Sequence, residues 1–126
     1  QMDATLPVLI HPSAVVSRYA MLEAGCVVMA GAVINPSVRI NRACIINTAG
    51  SVDHDCVLDD GVHISPGAHL AGAVSVGPCS WDGIGASVKQ CVKLGSNVVV
   101  GAGAVVVSDI ADNLTVVGVP AKTLIK

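Results

Sequence analysis

Residues 46–70 read INTAGSVDHDCVLDDGVHISPGAHL, and in this stretch every sixth residue is aliphatic. The same spacing extends in both directions, from Ile10 to Val106, with Asp82 as the single exception. Four residues after each of these positions stands a small side chain, most often Ala, Cys or Val. A period of six fits neither the 3.6-residue repeat of an α-helix nor the simple alternation of one long strand.

A period of six is typical of parallel β-helices, in which each hexapeptide forms one short strand and a turn. Three hexapeptides close one triangular coil, so residues eighteen apart stack on each other. We therefore predict a single all-β domain over residues 1–126, with about five to six coils in 10–108, a lead-in in 1–9 and a C-terminal tail in 109–126. The residue after each aliphatic position is often Asn, Asp or Gly, so we expect the left-handed corners there.

Composition narrows the class of protein. Hydrophobic residues make up 52% of the chain, yet it has no Phe, one Tyr and one Trp, which predicts a core of aliphatic ladders. A net charge of −2 without any basic run argues against a nucleic-acid partner. Gly, Asn, Asp and Ser interrupt every hexapeptide, so we find no signal peptide and no apolar transmembrane stretch, and we expect a cytoplasmic protein.

The five cysteines divide into two groups. Cys26, Cys44 and Cys56 fall on the small inward position, where cysteine packs as a compact hydrophobic side chain. Cys26 and Cys44 are eighteen apart and would stack, so packing and a disulfide bridge are both open, with packing favoured. Cys79 and Cys91 fall on outward positions and are the candidate reactive thiols.

Asp82 occupies a position that should point into the bore, where an unpaired carboxylate is costly. Three explanations are open. The coil is distorted at residues 81–83, or the carboxyl group is protonated, or it is paired.

His54 is the strongest candidate for chemistry because it lies between two acids, Asp53 and Asp55, at an outward position. A carboxylate that accepts one imidazole N–H raises the basicity of the other nitrogen, which suits a general base. Cys56 should point inward, which argues against a Cys–His nucleophilic pair. The alternative is a surface histidine flanked by acids that favour solubility.

Other polar and small residues fall on outward positions. His63 and His69 occupy equivalent places in consecutive hexapeptides and could face a neighbouring subunit or cap coil edges. Gly72 should lie one coil above His54, and Ile84 and Ala102 form a similar stacked pair on another face. Small residues on a flat face allow a long thin ligand to approach the backbone. The spacings His-x-x-x-His and Cys-x-x-Cys are absent, so we predict no metal site.

Three segments carry a resemblance to a known family. Residues 46–56, 63–72 and 117–122 resemble left-handed β-helix acyltransferases, in the subgroup of sialic-acid O-acetyltransferases and UDP-4-amino-sugar N-acetyltransferases. The similarity runs from Ile10 to Lys122. The left hand of the coil is part of that resemblance, because parallel crossovers are normally right-handed.

The resemblance implies a homotrimer that binds acetyl-CoA between subunits and acetylates the amine of a nucleotide-linked 4-amino-4,6-dideoxy sugar. The site residues that it implies are His54 as general base, Asp55 as its supporting acid, Asn47 near the acceptor amine, His63 at the acetyl thioester, and Gly72, Ile84 and Ala102 along the cofactor. It also implies that residues 118–122 belong to a segment that closes over the cofactor.

Alternatives stay open at this point. Only nine residues precede the first hexapeptide, so we expect the family's N-terminal nucleotide-sugar-binding domain to be absent and the chain to be a catalytic domain. The acceptor could be a hydroxyl group of sialic acid or of another sugar. Two further hypotheses are a β-helix carbonic anhydrase with zinc on His54, His63 and His69, and a non-catalytic trimeric scaffold.

Overall fold

A computed structural model describes residues 6–124, which form a parallel β-helix of very short strands. The first sheet contains β1 Leu9–Ile10, β4 Val27–Val28, β7 Ile45–Ile46, β10 His63–Ile64, β13 Trp81–Asp82, β16 Val99–Val100, β18 Thr115–Val117 and β19 Lys122–Thr123. The second contains β2 Val15–Val16, β5 Val33–Ile34, β8 Ser51–Val52, β11 His69–Leu70, β14 Ser87–Val88 and β17 Val105–Val106. The third contains β3 Met21–Leu22, β6 Arg39–Ile40, β9 Val57–Leu58, β12 Ser75–Val76 and β15 Lys93–Leu94.

Strands eighteen residues apart pair in parallel and in register, for example His63 with Ile45 below it and with Trp81 above it. In the central coils the second residue of each strand is buried and the first faces outward. This alternation follows from the pleat of a strand, which sends successive side chains to opposite faces. The predicted hexapeptide β-helix with an aliphatic bore is confirmed.

Three corners join the sheets. The first corner joins the first sheet to the second (residues 47–50 and 65–68, for example), the second corner joins the second sheet to the third (53–56 and 71–74), and the third corner returns to the first sheet (59–62 and 77–80).

The predicted position of the left-handed residues is wrong. Positive φ occurs three residues after the aliphatic position, at Asp55 (62°) and Cys91 (63°), for example, and not directly after it. Two of the Asn residues directly after the strands instead link coils through their side chains: the Asn35 amide donates to Asp53 at 2.9 Å and the Asn41 amide to Asp59 at 3.3 Å. The backbone N–H of the residue directly after the strand still bonds to the next coil, as when Asp53 donates to the Leu70 carbonyl at 3.1 Å, and the chain reverses two residues later.

The two ends of the bore differ. At the lower end Leu9, Ile10 and Val15 are exposed, and part of the predicted lead-in, residues 1–5, lies outside the described residues. At the upper end the tail continues the β-helix: Ile110 bridges to Leu94, and β18 pairs in parallel with β16. The ladder therefore does not stop at residue 108 as predicted, since Val116 is fully buried above Val100.

The inward cysteines pack as free thiols, and no disulfide forms among the five cysteines. Each inward thiol donates to a backbone carbonyl in the coil above: Cys26 to Asn41, Cys44 to Asp59 and Cys56 to Ala71. Burial raises the pKa of Cys44 to about 12 and that of Cys56 to about 11, so both stay protonated. Packing, the favoured prediction, is confirmed, and Cys79 and Cys91 are exposed as expected.

Asp82 points into the bore and is 1% exposed, with neither carboxyl oxygen hydrogen-bonded to any described residue. The coil is not distorted there, because Trp81 and Asp82 keep their register with the strands below and above. Burial raises the pKa of Asp82 to about 8, since charge is penalised in an apolar bore. Of the three explanations, the neutral, protonated carboxyl group is the one that fits.

Candidate active site

His54 lies at the tip of the second corner, between β8 and β9, and its side chain is 62% exposed. Its Nδ1 lies 3.0 Å from the Asp55 carboxylate, which the left-handed backbone of that residue turns toward the ring. If Nδ1–H donates to this carboxylate, Nε2 keeps its lone pair and faces away from it. This arrangement can accept a proton from a bound molecule.

Asp53, the other acid beside His54, has a different task. Its Oδ1 accepts the backbone N–H of His54 at 2.8 Å and the amide of Asn35 at 2.9 Å. These two hydrogen bonds lower the pKa of Asp53, because they favour the charged carboxylate. Asp53 therefore holds the corner backbone, and Asp55 is the acid that contacts the ring.

Gly72 lies directly above His54, as its spacing of eighteen predicts. A Cβ at this glycine would stand 2.5 Å from Cε1 and 2.6 Å from Nε2 of the imidazole, which is closer than real Cβ contacts. No positive φ requires glycine here, so the requirement is space for the ring. The backbone of the next residue, Ala73, donates to the His54 carbonyl at 2.8 Å.

A second polar group lies at the first corner. The Asn47 side-chain nitrogen is 3.2 Å from Nε2 of His63, a residue on the outer face of the first sheet. Trp81 packs against that imidazole in a tilted arrangement, with ring centroids 4.2 Å apart and planes inclined at 58°. Partial burial lowers the pKa of His63, because a charged imidazole loses hydration there.

Ile84 and Ala102 also lie at the first corner, above Asn47. The backbone N–H of Gly103 donates to the Ile84 carbonyl at 2.8 Å, which confirms the predicted stacking of these two turns. Both side chains are exposed. A Cβ at Gly83, the residue before Ile84, would collide with the Val100 carbonyl and stand 2.9 Å from the Ala102 nitrogen, so the corner stays flat because this residue is glycine.

The predicted site residues thus form two groups within one chain. His54, Asp55 and Gly72 lie together at the second corner, and Asn47, His63, Ile84 and Ala102 lie at or beside the first. Asn47 and His54 flank opposite ends of β8, so one chain does not bring the two groups into contact. A surface cavity of about 360 Å³ lies lower on the first corner, and none of the seven residues lines it.

Two residues of these groups, Thr48 and Trp81, were not among the predicted site residues. Thr48 donates its backbone N–H to the Asn47 side-chain oxygen at 2.8 Å, and Trp81 stacks on His63. Asp53 was considered only as a partner of the imidazole. The spacing of eighteen between His63 and Trp81 was a signal that could have identified the stacked pair.

Within residues 6–124, no group of three or more His, Cys, Asp or Glu side chains is placed to hold a metal ion. In the same part of the chain, no helix has the length and apolar character needed to cross a membrane.

No protein-family model matches the sequence. Several solved structures, however, are similar to this chain over most of its length. The acetyltransferase domain of PglB from Neisseria gonorrhoeae, solved with acetyl coenzyme A, is 53% identical, with a TM-score of 0.95 over 95% of this chain and 58% of that one. Perosamine N-acetyltransferase from Caulobacter crescentus, solved with CoA and GDP-perosamine, is 46% identical, with a TM-score of 0.96 over 97% of this chain and 58% of that one.

A more distant structure, the N-acyltransferase AntD from Bacillus cereus, shares 16% identity and a TM-score of 0.85 over 93% of this chain and 79% of that one, and supports the fold alone. The chain spans 58% of the length of the two similar structures. The resemblance seen in the sequence is confirmed at the level of family and fold. The chain belongs to the hexapeptide-repeat β-helix acetyltransferases.

Proposed function

We propose that this chain transfers the acetyl group of acetyl-CoA to the amine of a nucleotide-linked 4-amino-4,6-dideoxy sugar. Two similar structures support the choice of substrates: one is an acetyltransferase domain with acetyl coenzyme A, and the other an N-acetyltransferase with GDP-perosamine, a sugar of this class. The observation that carries the proposal is the contact of His54 Nδ1 with Asp55, which leaves Nε2 available as a base.

The proposed reaction is a direct transfer. The sugar amine attacks the thioester carbonyl carbon while His54 Nε2 takes a proton from the amine nitrogen. The tetrahedral intermediate then collapses, the C–S bond breaks, and the CoA thiolate takes the proton from the imidazolium. General-base help of this kind contributes about 10²–10⁴ in rate. Asp55 holds the ring and stabilises its charged form.

The remaining predicted residues enter the proposal as binding groups. Asn47 lies near the acceptor amine, and His63 lies at the acetyl thioester, where it or a backbone N–H donates to the developing oxyanion. Gly72, Ile84 and Ala102 line the cofactor. The small residues Gly72 and Ala102 and the flat first corner leave room for a narrow pantetheine arm beside the exposed Ile84 side chain.

A homotrimer is part of the proposal, because the two groups of residues lie at different corners of one chain. If the second corner of one subunit faces the first corner of its neighbour, His54 of one chain meets Asn47 and His63 of the other across a shared groove. Each subunit interface then holds one complete site. The closing segment around Gly118, after β18, lies at the same end of the prism as Ala102.

Two further predictions remain proposals. The first is that the nucleotide of the acceptor is bound by a part of the longer relatives that this chain does not match, since the chain spans 58% of their length. The second is that the reaction takes place in the cytoplasm, which agrees with five free cysteines and no disulfide.

The test is to offer the protein acetyl-CoA together with a panel of UDP-, GDP- and dTDP-linked amino and hydroxy sugars and to identify products by mass spectrometry. We expect one acetyl group on a 4-amino sugar, stable to mild base. An acetyl group that mild base removes would indicate an ester and favour the O-acetyltransferase alternative. No acetyl transfer and no thermal shift with acetyl-CoA would favour the scaffold alternative.

A further inference from the structure

The surroundings of His63 differ from those of every other histidine in the described chain. The outer column of the first sheet runs through Ile45, His63, Trp81 and Val99, so the imidazole lies between an aliphatic side chain below and an indole above. His69, at the equivalent place on the second sheet, lies between Ser51 and Ser87 and bonds to the Ser51 hydroxyl at 2.6 Å. Only the first of these two rings is stacked.

The hydrogen bonds around Asn47 determine which nitrogen of His63 carries the proton. The side-chain oxygen of Asn47 accepts the backbone N–H of Thr48 at 2.8 Å, which fixes the orientation of the amide. The amide NH₂ group therefore faces His63 and donates to Nε2 at 3.2 Å. A nitrogen that accepts this bond has a lone pair, so in the neutral ring the proton is on Nδ1.

No charged side chain opposes this state from the neighbouring strands. β7 places Ile45 beside the ring and β13 places Trp81 there, while the Asp82 carboxyl group points into the bore. Protonation of Nε2 would break the bond from the Asn47 amide and place a cation in a partly buried site. The contact with Trp81 and the hydrogen bond from Asn47 thus both favour the neutral imidazole with its proton on Nδ1.

We propose that Trp81 is a positioning residue: together with Asn47 it holds His63 as a neutral, Nδ1-protonated imidazole whose N–H is directed to the acetyl carbonyl oxygen. This inference rests on the proposed function, because the thioester is placed at His63 there. A donor fixed before the substrate arrives stabilises the oxyanion without reorganisation during the reaction. Trp81 acts through His63 and touches neither reacting atom.

The test begins with the unsubstituted protein and needs no substrate. Long-range ¹H–¹⁵N spectra of the imidazoles, with His63 assigned by a His63→Gln variant, report the tautomer directly. We expect the Nδ1–H pattern for His63 and a titration midpoint below that of an ordinary histidine. An Nε2–H pattern overturns the inference without any variant of Trp81.

Trp81→Leu and Trp81→Phe then separate positioning from simple packing. The leucine variant should raise the titration midpoint of His63 and lower kcat/KM by about threefold to tenfold, the range that one aromatic pair supports. The phenylalanine variant should keep the titration midpoint of His63 and kcat/KM close to those of the unsubstituted protein. Ser87→Ala, which changes the residue above His69, is the matched control and should leave His63 and kcat/KM unchanged.

An unchanged His63 midpoint in Trp81→Leu, with the trimer intact, also overturns the inference. The spectra distinguish this failure from failure of the proposed function. If the protein transfers no acetyl group while His63 shows the expected tautomer and response, the proposed function is wrong and the assignment of the ring stands.

Discussion

Two histidines of the same β-helix, His54 at the second corner and His63 beside the first corner, have opposite surroundings. His54 at the second corner is exposed and lies against the Asp55 carboxylate, the arrangement proposed above for a general base. His63 beside the first corner is partly buried, stacked on Trp81 and bonded to an uncharged amide, which favours a ring that stays neutral. The fold places both rings, and their immediate neighbours decide what each can do.

The difference follows from the residues one coil away. Above His54 stands Gly72, which leaves the imidazole free space, and above His63 stands Trp81, which covers the ring. In this β-helix the residue eighteen positions further along the chain lies directly above a given side chain and therefore determines its environment. One substitution in the next coil can therefore change an exposed imidazole into a covered one, or the reverse.

Replacement of His54, the proposed base, should have the largest effect on this comparison. His54→Ala should lower kcat by about 10²–10⁴, because general-base help is lost, while acetyl-CoA binding and the oligomeric state persist. Steady-state kinetics and calorimetric titration with acetyl-CoA measure the two effects. His69→Ala, which removes an outward imidazole from the second sheet, is the control. Full activity of His54→Ala would show that His54 is not the general base.

The space above His54 is tested by Gly72→Ala. The added Cβ displaces the imidazole, and we expect a loss of kcat of about 10², the cost of misplacing a catalytic group by about 1 Å. Thermal unfolding should also show a lower Tm. The clash is with the ring alone, so the Tm cost should disappear when Gly72→Ala is made in the His54→Ala background. An equal Tm cost in both backgrounds would contradict the proposed contact.

The next prediction concerns Asp82, whose carboxyl group lies in the bore behind the first sheet. Its folded pKa of about 8 exceeds the ordinary value of 3.8, so between these values the unfolded chain binds fewer protons than the folded one. The free energy of unfolding therefore falls as pH rises through this window and is highest below it. Asp82→Val should abolish this dependence and stabilise the protein at neutral pH by about 1–3 kcal/mol.

Urea unfolding across pH 4–9 measures the effect of Asp82→Val. Ile64→Val, one coil below in the same ladder, is the matched control. It should destabilise by about 1 kcal/mol at every pH, because it deletes one buried methyl group. A pH dependence that persists in Asp82→Val would assign the effect to another group.

The smallest expected effect concerns Asp55, the carboxylate beside the proposed base. Asp55→Asn keeps a hydrogen-bond acceptor beside His54 Nδ1 but removes the charge, and we expect kcat to fall by about tenfold, the difference between a charged and a neutral hydrogen bond. The matched control is Asp53→Asn, which alters the acid that bonds to backbone. Similar losses of kcat in both variants would mean that Asp55 and Asp53 do not have separate roles, one as the partner of the imidazole and the other as the partner of the backbone.

Much of the architecture was predictable because the hexapeptide period is itself a geometric rule. It predicted the inward Cys26, Cys44 and Cys56, the stacking of Gly72 on His54, and the pairing of Ile84 with Ala102. It failed at the left-handed positions, which fall three residues after each aliphatic residue, and at residue 108, beyond which the ladder continues through Ile110 and Val116 with altered spacing. Periodicity does not specify where within a turn the chain reverses, nor how a shortened repeat is accommodated.

By itself, the sequence determined which residues stack, because a repeat of eighteen assigns every residue to a column and a side of the prism. Only the tertiary structure decided how each side chain is oriented within its column: Asp55 and not Asp53 on the imidazole, the amide of Asn47 turned toward His63, and an unpaired carboxyl at Asp82. Spacing along the chain sets positions on the coil, whereas side-chain rotation, hydrogen bonding and burial depend on neighbours from other coils.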